Sequence, residues 1–179
     1  MSIGDEYGDM PGGMVEVTWD EARAAAVRHM ILEAFPNTSP AQDPATLVYD
    51  VRYPEPQAIA KMASGRSWRE WTLQELASNR SMSNWVTDEG FVVVLPAFLY
   101  AALESDDVKP EAGWVRESTY LDLSPLTPGA RTALERRSQL FDVPQLEAIC
   151  AWLQMENNGE TPEDLAFWSS ALERAKALP

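Results

Sequence analysis

Few side chains in this sequence could do covalent chemistry. His29 is the only histidine and Cys150 the only cysteine. One histidine cannot build a two-histidine metal site or a facial triad, and a lone histidine in an opening helix reads as a structural or surface residue. Cys150 falls on an apolar helical face, where a buried thiol is inert, and a single cysteine makes no internal disulfide. A Cys150–His29 pair stays open on sequence alone, with no spacing to support it. No Gly-x-Ser-x-Gly elbow marks a nucleophile; Ala63-Ser64-Gly65 reads as a helix end. No Gly-x-x-x-x-Gly-Lys-Ser/Thr loop is present to cradle phosphate, and Gly12-Gly13 stands alone in an acidic stretch. Carboxylates pair at Asp88-Glu89, Asp106-Asp107 and Glu163-Asp164. Two carboxylates at a set separation could serve as acid and base, but adjacent acids at helix starts answer first to the helix dipole. Asp106-Asp107 lacks a calcium-loop pattern. The expectation is therefore no catalytic residue, no cofactor and no metal, hence no enzyme. A buried acid such as Glu70 or Glu75 beside the tryptophans is the general-acid alternative.

The seven tryptophans are the other chemical resource. Trp19, Trp68, Trp71, Trp85, Trp114, Trp152 and Trp168 each offer a large apolar area, and most are expected in the core. Trp71 and Trp85 lie near loops and are the candidates for exposed interface anchors. Twenty-eight acids against 14 Lys and Arg leave a net charge of −14 and a pI near 4.4. A surface of that sign repels nucleic acid and anionic membranes and draws basic protein partners. Asp88, Glu89, Asp106, Asp107 and Glu111 are the acids expected to form a partner-binding surface with Trp71 and Trp85.

A single domain suits 179 residues, and 45% hydrophobic residues exclude wholesale disorder. Residues 1–16, rich in Gly and acids, read as a flexible acidic tail, and residues 17–179 as one helical domain. The tail lacks the basic start and apolar core of a signal peptide. The thirteen-residue run Phe91 to Leu103 is apolar throughout, yet a bilayer span takes about 20 such residues. A cytoplasmic protein is expected. Thr87 is a plausible N-cap for that run, with Asp88 and Glu89 placed to suit the dipole. An element apolar nearly all round is a buried one. Pro96 removes a backbone donor and predicts a bend near Val92–Leu95. A strand over Phe91–Val94, followed by a helix from Pro96, is the competing reading, favoured by three consecutive valines.

The remaining elements follow from caps and periodicity. Thr18 and Glu21 match a capping box opening a helix to about Phe35, with Ala22, Ala26, Val27, Met30, Ile31 and Ala34 at helical spacing. Five prolines between Pro36 and Pro56 make a connector there, pinned by Leu47, Val48 and Tyr49. Helices follow over about 56–63 and 73–79, with Trp68 and Trp71 between them on one helical face. Residues 105–126 read as irregular, anchored by Trp114 and Tyr120, with a short strand at Thr119–Leu123. Thr127-Pro128, Pro144 and Thr161-Pro162 open three more helices. Leu146, Ile149, Cys150 and Leu153 face inward on the second of these; Leu165, Trp168, Leu172 and Ala175 do so on the third. The sum is an all-α domain of about six helices, with room for one or two short strands.

Thr87-Asp-Glu-Gly-Phe91 followed by Leu95-Pro-Ala-Phe-Leu99 resembles an uncharacterised bacterial family. Its members run from Thr/Ser-Pro-Glu-Ala-Phe through aromatic residues into Leu-Pro-Ala-aromatic-Leu. The family's later Gln-x-x-Ala-Ile-x-x-Phe-Leu helix looks like Gln145 to Ile149 with Trp152-Leu153, its terminal tryptophan like Trp168, and its Gly-x-x-Trp like Gly65 to Trp68. The resemblance covers about residues 20–172. Gly90 departs from the usual alanine, and valines replace the aromatic pair before Leu95. No activity comes with the resemblance. Small acidic helical proteins of this kind are similar in character to bacterial immunity proteins, which block a toxin made by the same cell. The expected function is an acidic cytoplasmic immunity protein that occludes a basic surface or active site on a protein toxin. The alternatives are a self-associating helical module and an enzyme of unrecognised type.

Overall fold

The fold is arranged around a helix that has almost no polar side. The computed structural model describes residues 20–37, 43–80, 82–105, 108–156 and 162–178; the expected tail, residues 1–16, lies outside them. Among the described residues the fold is all-α, with eight helices and, in place of strands, one isolated antiparallel bridge between Val48 and Val86. In chain order the helices are α1 (Glu21–Ala34), α2 (Pro54–Ala63), α3 (Leu73–Ser78), α4 (Asp88–Ala101), α5 (Pro110–Leu123), α6 (Pro128–Ser138), α7 (Val143–Glu156) and α8 (Pro162–Lys176). Single 3-10 turns occupy Pro44–Leu47, Trp68–Glu70 and Met82–Asn84.

Residues 91–94 are helical, so the strand alternative fails. Thr87 Oγ1 accepts the Gly90 amide at 3.0 Å, and Asp88 and Glu89 fill the first turn. The helix carries on through Pro96, whose ring has no proton for the Val92 carbonyl four residues earlier. Gly90, Phe91, Val94 to Leu99 and Ala101 are all buried. That burial requires neighbours on every side. α1, α3, α5, α6 and the turns at 44–47 and 68–70 supply them. α1 in turn carries α7, and α8 packs on α7, forming a second layer. Phe141 joins the layers edge-on, its ring centroid 6.3 Å from Phe35, 6.4 Å from Phe91 and 6.2 Å from Trp168.

Some sequence expectations move. The first helix starts at Glu21 and is capped by Asp20, whose carboxylate accepts the Arg23 amide at 3.0 Å; Thr18 lies outside the described residues. Its buried residues are Ala24, Val27 and Ile31, while Ala22 and Ala26 face solvent. The connector is pinned by Leu47 and Val48, both buried, but Tyr49 is exposed. The larger correction is α5. Residues 110–123 form a helix, and Thr119–Leu123 is its last turns rather than a strand. Pro110 at the first turn is the start signal that sequence reading passed over. The inward face of α5 includes Ser118, Thr119 and Asp122, and polar residues at buried positions hide an apolar period. Thr119 is accommodated because its hydroxyl donates to the Val115 carbonyl one turn back, at 2.6 Å.

The connector and the spine touch at Gly90. A Cβ built there would lie 2.0 Å from the Leu47 carbonyl oxygen, and that same oxygen accepts the Thr87 amide at 3.0 Å. An alanine does not fit this backbone. Gly90→Ala is expected to cost about 3 kcal/mol or more, because backbone rather than a flexible side chain must move. Urea unfolding should show a lower midpoint at unchanged slope.

Candidate functional site

The acids expected at a partner surface have separate fates. Asp88 is committed internally: Arg136 Nε lies 2.9 Å and Arg137 Nε 3.1 Å from its carboxylate. Burial pushes the Asp88 carboxyl up, but hydrogen bonds and charge from the two arginines outweigh it, and the net shift is downward. Arg137 is itself buried; its Nη2 donates to the Ser83 and Val86 carbonyls, and its guanidinium lies 4.4 Å from the Phe91 ring centroid. Asp88 is thus part of the lock between α4 and α6 and is no free surface acid. Glu89 is exposed, and Glu111 is half-exposed in the first turn of α5. Asp106 and Asp107 lie outside the described residues.

The tryptophan candidates are corrected outright. Trp71 is buried, and Trp85 is half-buried against the core. Among the described residues the exposed tryptophan is Trp114, with half its surface open at 51%. The general-acid alternatives are corrected as well, since neither is a buried acid. Glu70 is exposed, and half-exposed Glu75 accepts two hydrogen bonds from Arg66. With the Thr72 amide, that arginine pulls the Glu75 carboxyl down to about 2, so it stays ionised. Cys150 is buried, and burial pushes its thiol up, as expected for an inert position. His29 sits on the exposed side of α1 beside Glu33, at 3.3 Å. Among the described residues, no group of three or more His, Cys, Asp and Glu could hold a metal ion. None of the described helices is long and apolar enough to cross a membrane.

The arrangement that sequence reading missed is the outer side of α5. Trp114 and Leu121, seven residues and about two turns apart, are 51% and 55% exposed, and exposed Glu117 lies between them. Beside this stripe, between the end of α3 and α5, opens a pocket of about 460 Å³ lined by Ser78, Arg80, Trp114, Glu117, Ser118, Leu121 and Asp122. The Arg80 guanidinium lies over the Trp114 ring, 5.6 Å from its centroid. Trp114 and Leu121 were legible as a pair only once residues 110–123 were known to be helical.

Asp122 is the unusual member. It is 9% exposed. Its Oδ1 accepts a hydrogen bond from Ser83 Oγ, and its buried Oδ2 has no hydrogen-bond partner among the described residues. Burial pushes its carboxyl up to about 6, against the opposing pull of the Ser83 hydrogen bonds and the Arg137 charge. A carboxyl titrating there can hold or release a proton close to neutral pH. Asp164, at the start of α8, is the contrast. It is hidden still more fully, at 2% exposure, but Tyr120 and Ser124 both donate hydroxyl protons to its Oδ2.

No family model, no curated protein and no solved structure matches the chain. The site is therefore read from its own geometry.

Asp122 has a signed stability consequence. Its folded pKa lies above the ordinary value of 3.8, so the folded state binds the proton more tightly and stability falls as pH rises through that window. The shift corresponds to about 3 kcal/mol at neutral pH. Asp122→Asn keeps an acceptor for Ser83 and removes the charge. It is expected to stabilise the fold by about 1–3 kcal/mol near pH 8 and to give no such gain at about pH 4. Thermal unfolding at the two pH values checks this; a gain independent of pH contradicts the assignment.

Proposed function

We propose that the protein is an acidic binding protein that docks a basic protein partner on the outer face of α5. An immunity protein occluding a toxin's basic surface or active site is the form that best suits it. The observation that carries the reading is Trp114, half-exposed beside Leu121 and flanked along the helix by Glu111 and Glu117. An aromatic and an aliphatic side chain that stay out of the core, with acids around them, match the make-up of an interface centre and rim.

The charge distribution supports the same reading. Several arginines, exposed or buried, use their guanidinium groups to hold backbone carbonyls of other elements. Arg23 donates to the Gln154 carbonyl, Arg28 to Leu103, Arg69 to Leu32 and Phe35, Arg116 to Ala102 and Glu104, and Arg137 to Ser83 and Val86. Arg28, Arg116 and Arg137 also pair with Glu21, Glu156 and Asp88, and the net −14, which counts every one of these arginines, acts on whatever approaches. A basic partner gains in rate of encounter, while the apolar pair on α5 supplies contact area that resists dissociation.

The test is binding to the protein encoded by the neighbouring gene, measured by calorimetry and stopped flow. Affinity should fall as salt rises from about 50 to about 500 mM, since the steering is screened. Trp114→Ala should weaken binding at least about tenfold. Glu111→Gln with Glu117→Gln should slow association about three- to tenfold and leave dissociation nearly unchanged. Failure of the two proteins to associate at low salt removes the reading.

A further inference from the structure

A second cavity, between α1, α4 and the turn at Trp68–Glu70, is separate from the α5 site. We propose that it is a binding site for a small aromatic carboxylate. Trp68, Trp71 and Tyr100 form aromatic walls, Leu32 and Leu76 aliphatic ones, and Arg69 is the cation of the lining. Its volume is about 210 Å³, the share of roughly seven water molecules, which suits one ring with a short acid chain.

Two polar features decide the ligand's chemistry. The first is the Trp71 indole. It is 93% hidden, at 7% exposure, and its Nε1–H has no hydrogen-bond partner among the described residues. The other buried indoles among the described residues are treated in both ways: Trp152 is likewise unpaired but does not line this cavity, while two are paired. Trp68 donates to the Pro36 carbonyl at 3.2 Å and Trp168 to the Leu123 carbonyl at 2.9 Å. A buried donor left unpaired is costly, and an acceptor arriving with a ligand removes that cost. The second feature is Arg69. It lies 5.1 Å from the centroid of the Trp68 ring and is held there by the Leu32 and Phe35 carbonyls. The acids closest in sequence are already engaged: Glu70 accepts the Ser67 amide, and Glu75 is bound by Arg66. An indole donor and a guanidinium at an aromatic cavity favour an anionic acceptor on a flat apolar body. A neutral hydrocarbon would leave Trp71 unpaired, and an amine would meet Arg69 with like charge.

The inference is independent of the α5 reading: a protein that binds no partner through Trp114 would still take a ligand here. The test uses the full chain and phenylacetate as probe, with toluene and benzylamine as comparators. The readout is the Trp71 indole Nε1–H resonance, assigned by its loss in Trp71→Phe. Phenylacetate should shift that resonance saturably, with a dissociation constant on the order of millimolar for so small a ligand. Toluene and benzylamine should each bind at least about fivefold more weakly. Arg69→Gln, at an exposed position, should weaken phenylacetate about tenfold. The proposal is overturned if the Trp71 resonance stays still at saturating probe. It is equally overturned if toluene binds as well as phenylacetate, or if Arg69→Gln changes nothing. The comparators and Arg69→Gln decide the matter even if Trp71→Phe folds poorly.

Discussion

An apolar helix with no side to give to solvent has to be enclosed, and α4 imposes that demand on the rest of the chain. Six neighbouring elements are not enough by contact alone; the enclosure has to be held shut. At the N-terminal end, the connector approaches so closely that only glycine fits at position 90, and the Leu47 carbonyl ties back to Thr87. On the α6 side, buried Arg137 binds Asp88, two carbonyls and the face of Phe91 together. A buried charge is tolerated only with such full partnering. At the C-terminal end, Arg28 from α1 and Arg116 from α5 donate to the carbonyls of Leu103, Ala102 and Glu104.

Those last contacts show a wider pattern. Helix C-termini leave carbonyls without partners and carry partial negative charge, which glycine caps or cations relieve. Glycine takes the left-handed conformation at Gly65, just past α2. Elsewhere arginine does the work: beyond α4, Arg69 serves the end of α1 and Arg23 the end of α7. Each such arginine belongs to another element, so one hydrogen bond both finishes a helix and fastens a packing interface. The acidity of the protein is set by composition, 28 acids against 14 Lys and Arg.

Among the described residues, two of the buried polar atoms left without a hydrogen-bond partner border the cavities. Asp122 hides a carboxyl with one oxygen unmatched, and Trp71 hides an indole proton with no acceptor. Asp164 and Trp168 are buried residues of the same types whose polar atoms are paired, whereas Trp152, which lines neither cavity, is not. Local cost of this kind concentrates where binding or chemistry takes place.

Much of this was readable from residue order. The all-α class, the buried run after Thr87, the short helix over about 73–79, the Thr127 helix start and the insulated Cys150 follow from caps, prolines and 3.6-residue periodicity, which are local properties of the chain. The net negative charge is likewise a matter of composition. What residue order did not disclose was α5, because Ser118, Thr119 and Asp122 occupy its buried face and erase the period; with α5 went Trp114, Leu121 and the whole pocket beside them. Nor could it say that Trp114 is exposed, or that Asp88 is locked to Arg137 forty-nine residues away. Those outcomes depend on which surfaces meet across long sequence separations. Only tertiary packing sets that, since burial and ion pairing are properties of neighbours in space rather than in the chain.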